Sequence, residues 1–309
     1  MPRLLRLGIA AGETVRAQAR WLLERADAAA RAAGAEPVAV EQVEIRTPGE
    51  AAGDLFVDAE AAGAAHAEAL GQALRLGQVD VVLHHLGERA EARGLVDLAA
   101  VLERVHSGDV LLGTIGLGDL PQGARVAVGS LRARALLCAT RPDVHPVHLR
   151  GGPRTCLEKL RATPIEALIL PAALVAWLGE ESLACEELSA RGFVAGAGHG
   201  ALAIESRADD EEARSWAARL EHRPTRLAVA AELACVERLE RAGARGAHAR
   251  LEGDTLRLEA FASGPDGEGL VRGAADLELP ADPKAAFEAA LELGRQVGEE
   301  LGSKTSPIA

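Results

Sequence analysis

The stretch Asp80-Val81-Val82-Leu83-His84-His85-Leu86-Gly87-Glu88-Arg89 runs from an apolar segment into two imidazoles, a carboxylate and a guanidinium. A short apolar run bounded by turn residues reads as a buried parallel strand. In open α/β sheets, chemistry gathers just beyond the carboxyl ends of such strands. A strand that stops in His84-His85-Leu86-Gly87-Glu88-Arg89 is therefore the first place to look for a site, with His84 and His85 as candidate ligand-binding groups. Adjacent histidines on a strand point to opposite faces. The bland alternative is a solvated strand-to-helix loop, and this stretch alone does not displace it.

A second strand-end carries clearer chemistry. Arg125 to Val128 reads as a strand, followed directly by Gly129, Ser130 and a helix containing Arg132. The first N–H groups of a helix have no partner within it and attract anions. Gly129 permits close approach, Ser130 adds a hydroxyl, and Arg132 can fork onto a carboxylate. A serine N-cap beside a surface arginine explains the same residues equally well. Arg150, in the turn after Val144–Leu149, could bring another cation to the same cleft. Gly196-Ala197-Gly198-His199-Gly200 lacks the G-x-G-x-x-G spacing and leads into a strand, so it reads as a hinge rather than a dinucleotide loop. No His, Cys and carboxylate cluster has metal-ligand spacing, so no metal is expected.

The elements that position these groups follow from pattern. Leu4–Ala10, Val38–Ile45 and Val79–Leu83 read as strands separated by alanine-rich helices, the alternation of a doubly wound α/β unit. A second alternating unit runs from near Leu95 to the glycine-rich Gly192–Gly200. From Pro224, a helix, three meander strands and a closing helix make a small α+β unit. The expected fold is α/β with three domains. Two α/β lobes (1–95 with 192–217, and 96–191) face each other across a cleft, and 218–309 forms the α+β domain.

Composition narrows the partners. The formal net charge of -12 argues against nucleic acid or an anionic membrane surface. With 2% aromatic residues and no tyrosine, base-stacking platforms are scarce and the core must be leucine, valine and alanine. Cys138, Cys156, Cys185 and Cys235 form no C-x-x-C pair, which fits a reduced, cytoplasmic protein. No apolar run approaches membrane-spanning length.

Taken in order, these segments resemble the porphobilinogen deaminase (hydroxymethylbilane synthase) family. The resemblance rests on Gln18-Ala19, Asp54–Val57, Asp80–Glu88, Gly129–Ala133, Arg141-Pro142-Asp143, Leu149–Gly151, Leu157–Leu160, Gly198–Ala201 and Ile204–Asp210. It implies two lobes like those of periplasmic binding proteins and a third domain whose cysteine carries a dipyrromethane cofactor. It also implies assembly of a linear tetrapyrrole from porphobilinogen, with a cleft aspartate managing protons and with cations holding the substrate carboxylates.

Several matched positions depart from the family. Glu240–Gly246, where the cofactor cysteine falls, has no cysteine and is about two residues shorter. Glu88 stands for the catalytic aspartate and Gly87 for the neighbouring lysine. Ala10, Ala133 and Cys156 stand for arginines, and His199 for a hinge glutamine. Each lost charge-assisted hydrogen bond is worth about 1.5–3 kcal/mol. The sequence therefore leads to a divergent, deaminase-like protein without cofactor, not competent for dipyrromethane-primed assembly, that binds a small anionic or pyrrole-like ligand in its cleft. Two alternatives stand beside it: an active synthase, which would need dipyrromethane, and a non-catalytic scaffold or regulator.

Overall fold

The computed structural model describes residues 4–46, 59–88, 98–149, 151–189, 192–240 and 242–305, the side chains of 59–65 and 88 excepted. The Asp54–Val57 segment, Arg89, Arg150 and Arg241 lie outside the described residues.

The first lobe contains β1 (Leu5–Ala10), α1 (Glu13–Ala32), β2 (Val40–Ile45), α2 (Ala59–Arg75), β3 (Val81–His85) and β4 (Ala100–Val101). The second is built from β5 (Asp109–Gly113), β6 (Arg125–Val128), α3 (Leu131–Thr140), β7 (His145–His148), α4 (Pro153–Ala162), β8 (Ala167–Pro171), α5 (Ala172–Leu178) and β9 (Ala184–Glu187). The chain then returns to the first lobe through β10 (Leu202–Ser206) and α6 (Glu211–Ala218).

The two sheets share one plan, β2-β1-β3-β10-β4 and β7-β6-β8-β5-β9. In each, four strands run one way and the strand second from the edge runs antiparallel to them. In both lobes that antiparallel strand is the one reached by crossing from the other lobe. Two crossovers, 102–108 and 188–201, therefore join the lobes. The inner parallel strands of the first lobe, β1 and β3, read as largely apolar runs because helices cover the sheet: Leu5, Leu7, Ile9, Val81 and Leu83 are all buried in one cluster with Leu22 and Trp216.

The structure moves two boundaries. Ala100–Val101, which the sequence pattern puts in the second lobe, pairs with β10 in the first. β3 does not stop before the histidines, because Ala203 and Leu202 of β10 pair with His84 and His85 and carry the ladder through both. The 3-10 turn Leu86–Glu88 follows.

The third domain is α7 (Arg223–Glu237), the antiparallel sheet β11 (Ala244–Glu252), β12 (Thr255–Ser263), β13 (Val271–Glu278), and α8 (Pro283–Lys304). Asp282 caps α8 by accepting from the Ala285 N–H at 2.8 Å. With few aromatics available, the core is closed by bringing α7 and α8 together on small residues. A Cβ at Gly294 would lie 2.2 Å from the Ala231 carbonyl oxygen, and one at Gly298 would lie 2.5 Å from that of Cys235. Only glycine allows the two backbones this close. No described helix is long and apolar enough to cross a membrane.

Candidate functional site

At their carboxyl ends β1 leads through Ala11-Gly12 into α1, β6 through Gly129-Ser130 into α3, and β8 directly into α5. At the end of β3, the Gln18 amide from α1 donates to His85 Nε2 at 2.9 Å. His84, 5% exposed, turns the other way and puts Nε2 3.3 Å from Glu205. The Gly196–Gly200 turn packs against Leu86-Gly87: the Leu86 N–H donates to the Ala201 carbonyl at 3.0 Å. It also packs against the other crossover. A Cβ on Gly200, which has φ +72°, would lie 1.6 Å from the His106 carbonyl oxygen. The segment expected as a hinge thus lies where the two crossovers touch.

His199 sits in this turn with its ring over Gly196. Burial holds its pKa down at about 3, and the nearby Arg132, Arg104 and His85 push the same way, against Asp109. His85 is held at about 4, by burial first and by His84 second. Both rings are therefore neutral at pH 7. His199 Nδ1 and Arg104 Nη2 are buried without a hydrogen-bond partner among the described residues.

The predicted anion site at the start of α3 has its own internal partners. Ser130 is the N-cap, its hydroxyl accepting from the Ala133 N–H at 3.1 Å. Arg132 does fork onto a carboxylate, but the carboxylate is that of Asp109, at 2.6 and 2.8 Å. Its Nη1 also donates to the Val194 carbonyl at 2.9 Å. Arg132 therefore ties α3 to the inner ends of both crossovers. Gly129 and Ser130 are part-exposed at the end of β6. The structure thus brings His85, His199 and Arg132 into one neighbourhood. Arg150 and the Glu88 side chain lie outside the described residues.

Sequence reasoning missed the acids that pair these cations. Glu232 of α7 is fully buried and accepts from Arg104 Nη1, the Gly198 N–H and the Ala249 N–H, each at 2.8 Å. One carboxylate thus joins the first crossover, the second crossover and β11. A lone acid inside Ala228-Val229-Ala230-Ala231-Glu232-Leu233-Ala234 was the available signal, because a carboxylate on an apolar helix face needs a buried partner. At the cleft mouth, Arg154 at the start of α4 donates to Glu13 at the start of α1, 2.8 Å from both Nε and Nη2. No local pattern announces that pair. Among the described residues no group of histidine, cysteine and carboxylate side chains is arranged to hold a metal ion.

Comparison with known proteins agrees with the resemblance. Residues 7–215 match the family model described as porphobilinogen deaminase, dipyromethane cofactor binding domain. The chain is 32% identical over 276 residues to a porphobilinogen deaminase of Geobacter metallireducens, covering 88% of this chain and 85% of that one. It is 38% identical over 239 residues to one from Phenylobacterium zucineum, covering 75% and 74%. Among solved structures, a TRAP solute binding protein from a marine metagenome aligns over 74% of this chain and 78% of its own, with a TM-score of 0.40 at 12% identity.

These findings correct one expectation. The sequence led to a protein without cofactor, yet the matched model is itself that of a dipyrromethane-binding domain. The residues present do not fit attachment of that group through a thioether. The turn between α7 and β11 contains no cysteine. Cys235, on α7, is fully buried, and burial pushes its thiol up to about 12, so almost no thiolate exists at neutral pH. With a family model matched across both lobes and relatives above 30% identity over most of the chain, this protein belongs to the porphobilinogen deaminase family.

Proposed function

We propose that this family member binds a small pyrrole carboxylate in the cleft between its lobes and does not run dipyrromethane-primed tetrapyrrole assembly. The observation that carries this reading is the internal pairing of the cations around the cleft. Arg132 is engaged by Asp109, Arg104 by Glu232, and Arg154 by Glu13 and Glu180. His85 and His199 add no positive charge at neutral pH. A growing pyrrole chain gains a carboxylate pair with every unit and needs free cations to hold them. A short ligand needs few. Without a thiol at the α7–β11 turn, a primer is free to leave with its product. Partly exposed Gly129 and Ser130, with Arg150, are the groups through which a single carboxylate would be held.

The test is incubation of purified protein with porphobilinogen, followed by aldehyde staining for pyrroles and by native and denaturing mass spectrometry. The expected result is a pyrrole adduct in the native spectrum and no linear tetrapyrrole. A second reading, an active synthase, is favoured by the names of the relatives. A denatured mass raised by a dipyrromethane, with conversion of porphobilinogen to a linear tetrapyrrole, would establish it in place of the first.

A further inference from the structure

The two crossovers join the lobes and touch each other at Gly200 and His106. Elsewhere, helices that start at strand ends of opposite lobes touch each other directly. α1 leaves the end of β1, and α4 and α5 leave the ends of β7 and β8. Glu13, in the first turn of α1, forms its two-pronged pair with Arg154 in the first turn of α4. Arg154 and Arg161 both also reach Glu180, at 3.3 and 3.1 Å, so the pair belongs to a small charge network. Eight residues further along α1, about 12 Å by helical rise, Trp21 meets Trp177 of α5. The rings are edge to face with centroids 5.5 Å apart and planes at 79°, a favoured aromatic geometry. Trp177, though carried by the second lobe, packs into the core cluster of the first. Arg25 lies over the Trp21 ring at 4.4 Å and bonds Glu103 of the first crossover at 2.8 Å, which fixes Trp21 against the hinge.

We propose that Glu13–Arg154 and Trp21–Trp177 form a two-point latch that holds the lobes shut along α1, and that a ligand enters the cleft only when this latch parts. Both contacts join the lobes without passing through the crossovers. Rotation about the crossovers that widens the α1 side must therefore separate both together. A ligand carboxylate arriving at the mouth competes with Glu13 for Arg154, so the charged contact is the one an incoming anion can open. The latch is built from contacts between the lobes, and it gates any anionic ligand whether or not that ligand is a pyrrole.

The test uses the full chain without ligand and compares Glu13→Arg, Arg154→Glu and the double reversal. Small-angle scattering reads lobe separation, and acrylamide quenching of tryptophan reads exposure of the Trp21–Trp177 contact. Trp216 is 5% exposed in the first-lobe core and contributes little to the quenching of the closed protein. Each single reversal is expected to raise the radius of gyration and the quenching constant, and the double reversal to restore both. Because Glu13 and Arg154 are 57% and 44% exposed, these variants retain the core. Trp177→Ala is expected to open the lobes in scattering even with the ion pair intact. Single reversals with unchanged scattering and quenching would overturn the latch. So would a double reversal that stays open.

Discussion

The lobe junction and the cleft mouth use the same chemistry, guanidinium against carboxylate, at opposite ends of the burial scale. At the junction, Arg104 and Glu232 are 11% and 0% exposed, and Arg132 and Asp109 are 8% and 1% exposed. At the mouth, where α1 meets α4, Arg154 and Glu13 are 44% and 57% exposed. A buried pair loses its hydration, and removing one partner leaves the other charged and stranded. An exposed pair is screened by water and salt and exchanges partners freely. The junction pairs thus specify how the three domains meet, while the mouth pair can part without endangering the fold.

The comparison is broken hardest at Glu232. Glu232→Ala leaves Arg104 and two backbone N–H groups without an acceptor, and should destabilise the protein by roughly 3–5 kcal/mol. Urea unfolding would measure this. A loss below about 1 kcal/mol would mean that water replaces the carboxylate, and that the junction is no more buried than the mouth.

Acid titration probes the junction at an intermediate scale. Burial holds the folded pKa of His85 at about 4 and that of His199 at about 3, below the ordinary imidazole value of about 6.5. The unfolded chain therefore binds protons that the folded chain refuses. Their contribution is intact above pH 6.5 and is lost as pH falls from 6.5 towards 4, with a slope of about 1.4 kcal/mol per pH unit for each ring. Between pH 6.5 and 5, little carboxylate titration interferes. Unfolding midpoints across that window should fall steeply for the natural protein and much less for the His85→Gln, His199→Gln double variant. An equal slope in both would remove the histidines from the account.

The smallest effect is expected at the mouth. Glu13→Gln should leave the unfolding midpoint unchanged within error, because both partners remain hydrated. A large loss there would show that the mouth pair is structural, and the contrast with the junction would vanish.

Much of the architecture was legible. The apolar runs at Leu5–Ala10 and Val81–Leu83 and the alanine-rich helices between them specify a parallel sheet, since strands buried on both faces admit only apolar side chains. The α7, β11–β13, α8 order was readable from turns and periodicity. Less legible were β4 and β9. Two residues, Ala100–Val101, and the charged Ala184–Glu187 carry no strand pattern of their own. They become strands because β10 and β5 offer them an unpaired edge. At the candidate site, Arg132 was visible as a fork without a known partner. Glu232 was visible only as an acid in an apolar helix, and the Glu13–Arg154 pair was not visible at all.

By itself the chain determined what can be made locally or chemically: the order and type of its elements apart from β4 and β9, the family body, and a turn after α7 that has no thiol. Those follow from side-chain type and spacing over a few residues. Tertiary structure alone decided which cations stay free. Asp109 lies 23 residues from Arg132, Glu232 lies 128 from Arg104, and Glu13 lies 141 from Arg154. Coulomb attraction depends on distance in space and on local hydration, and neither exists until the lobes and the third domain have come together.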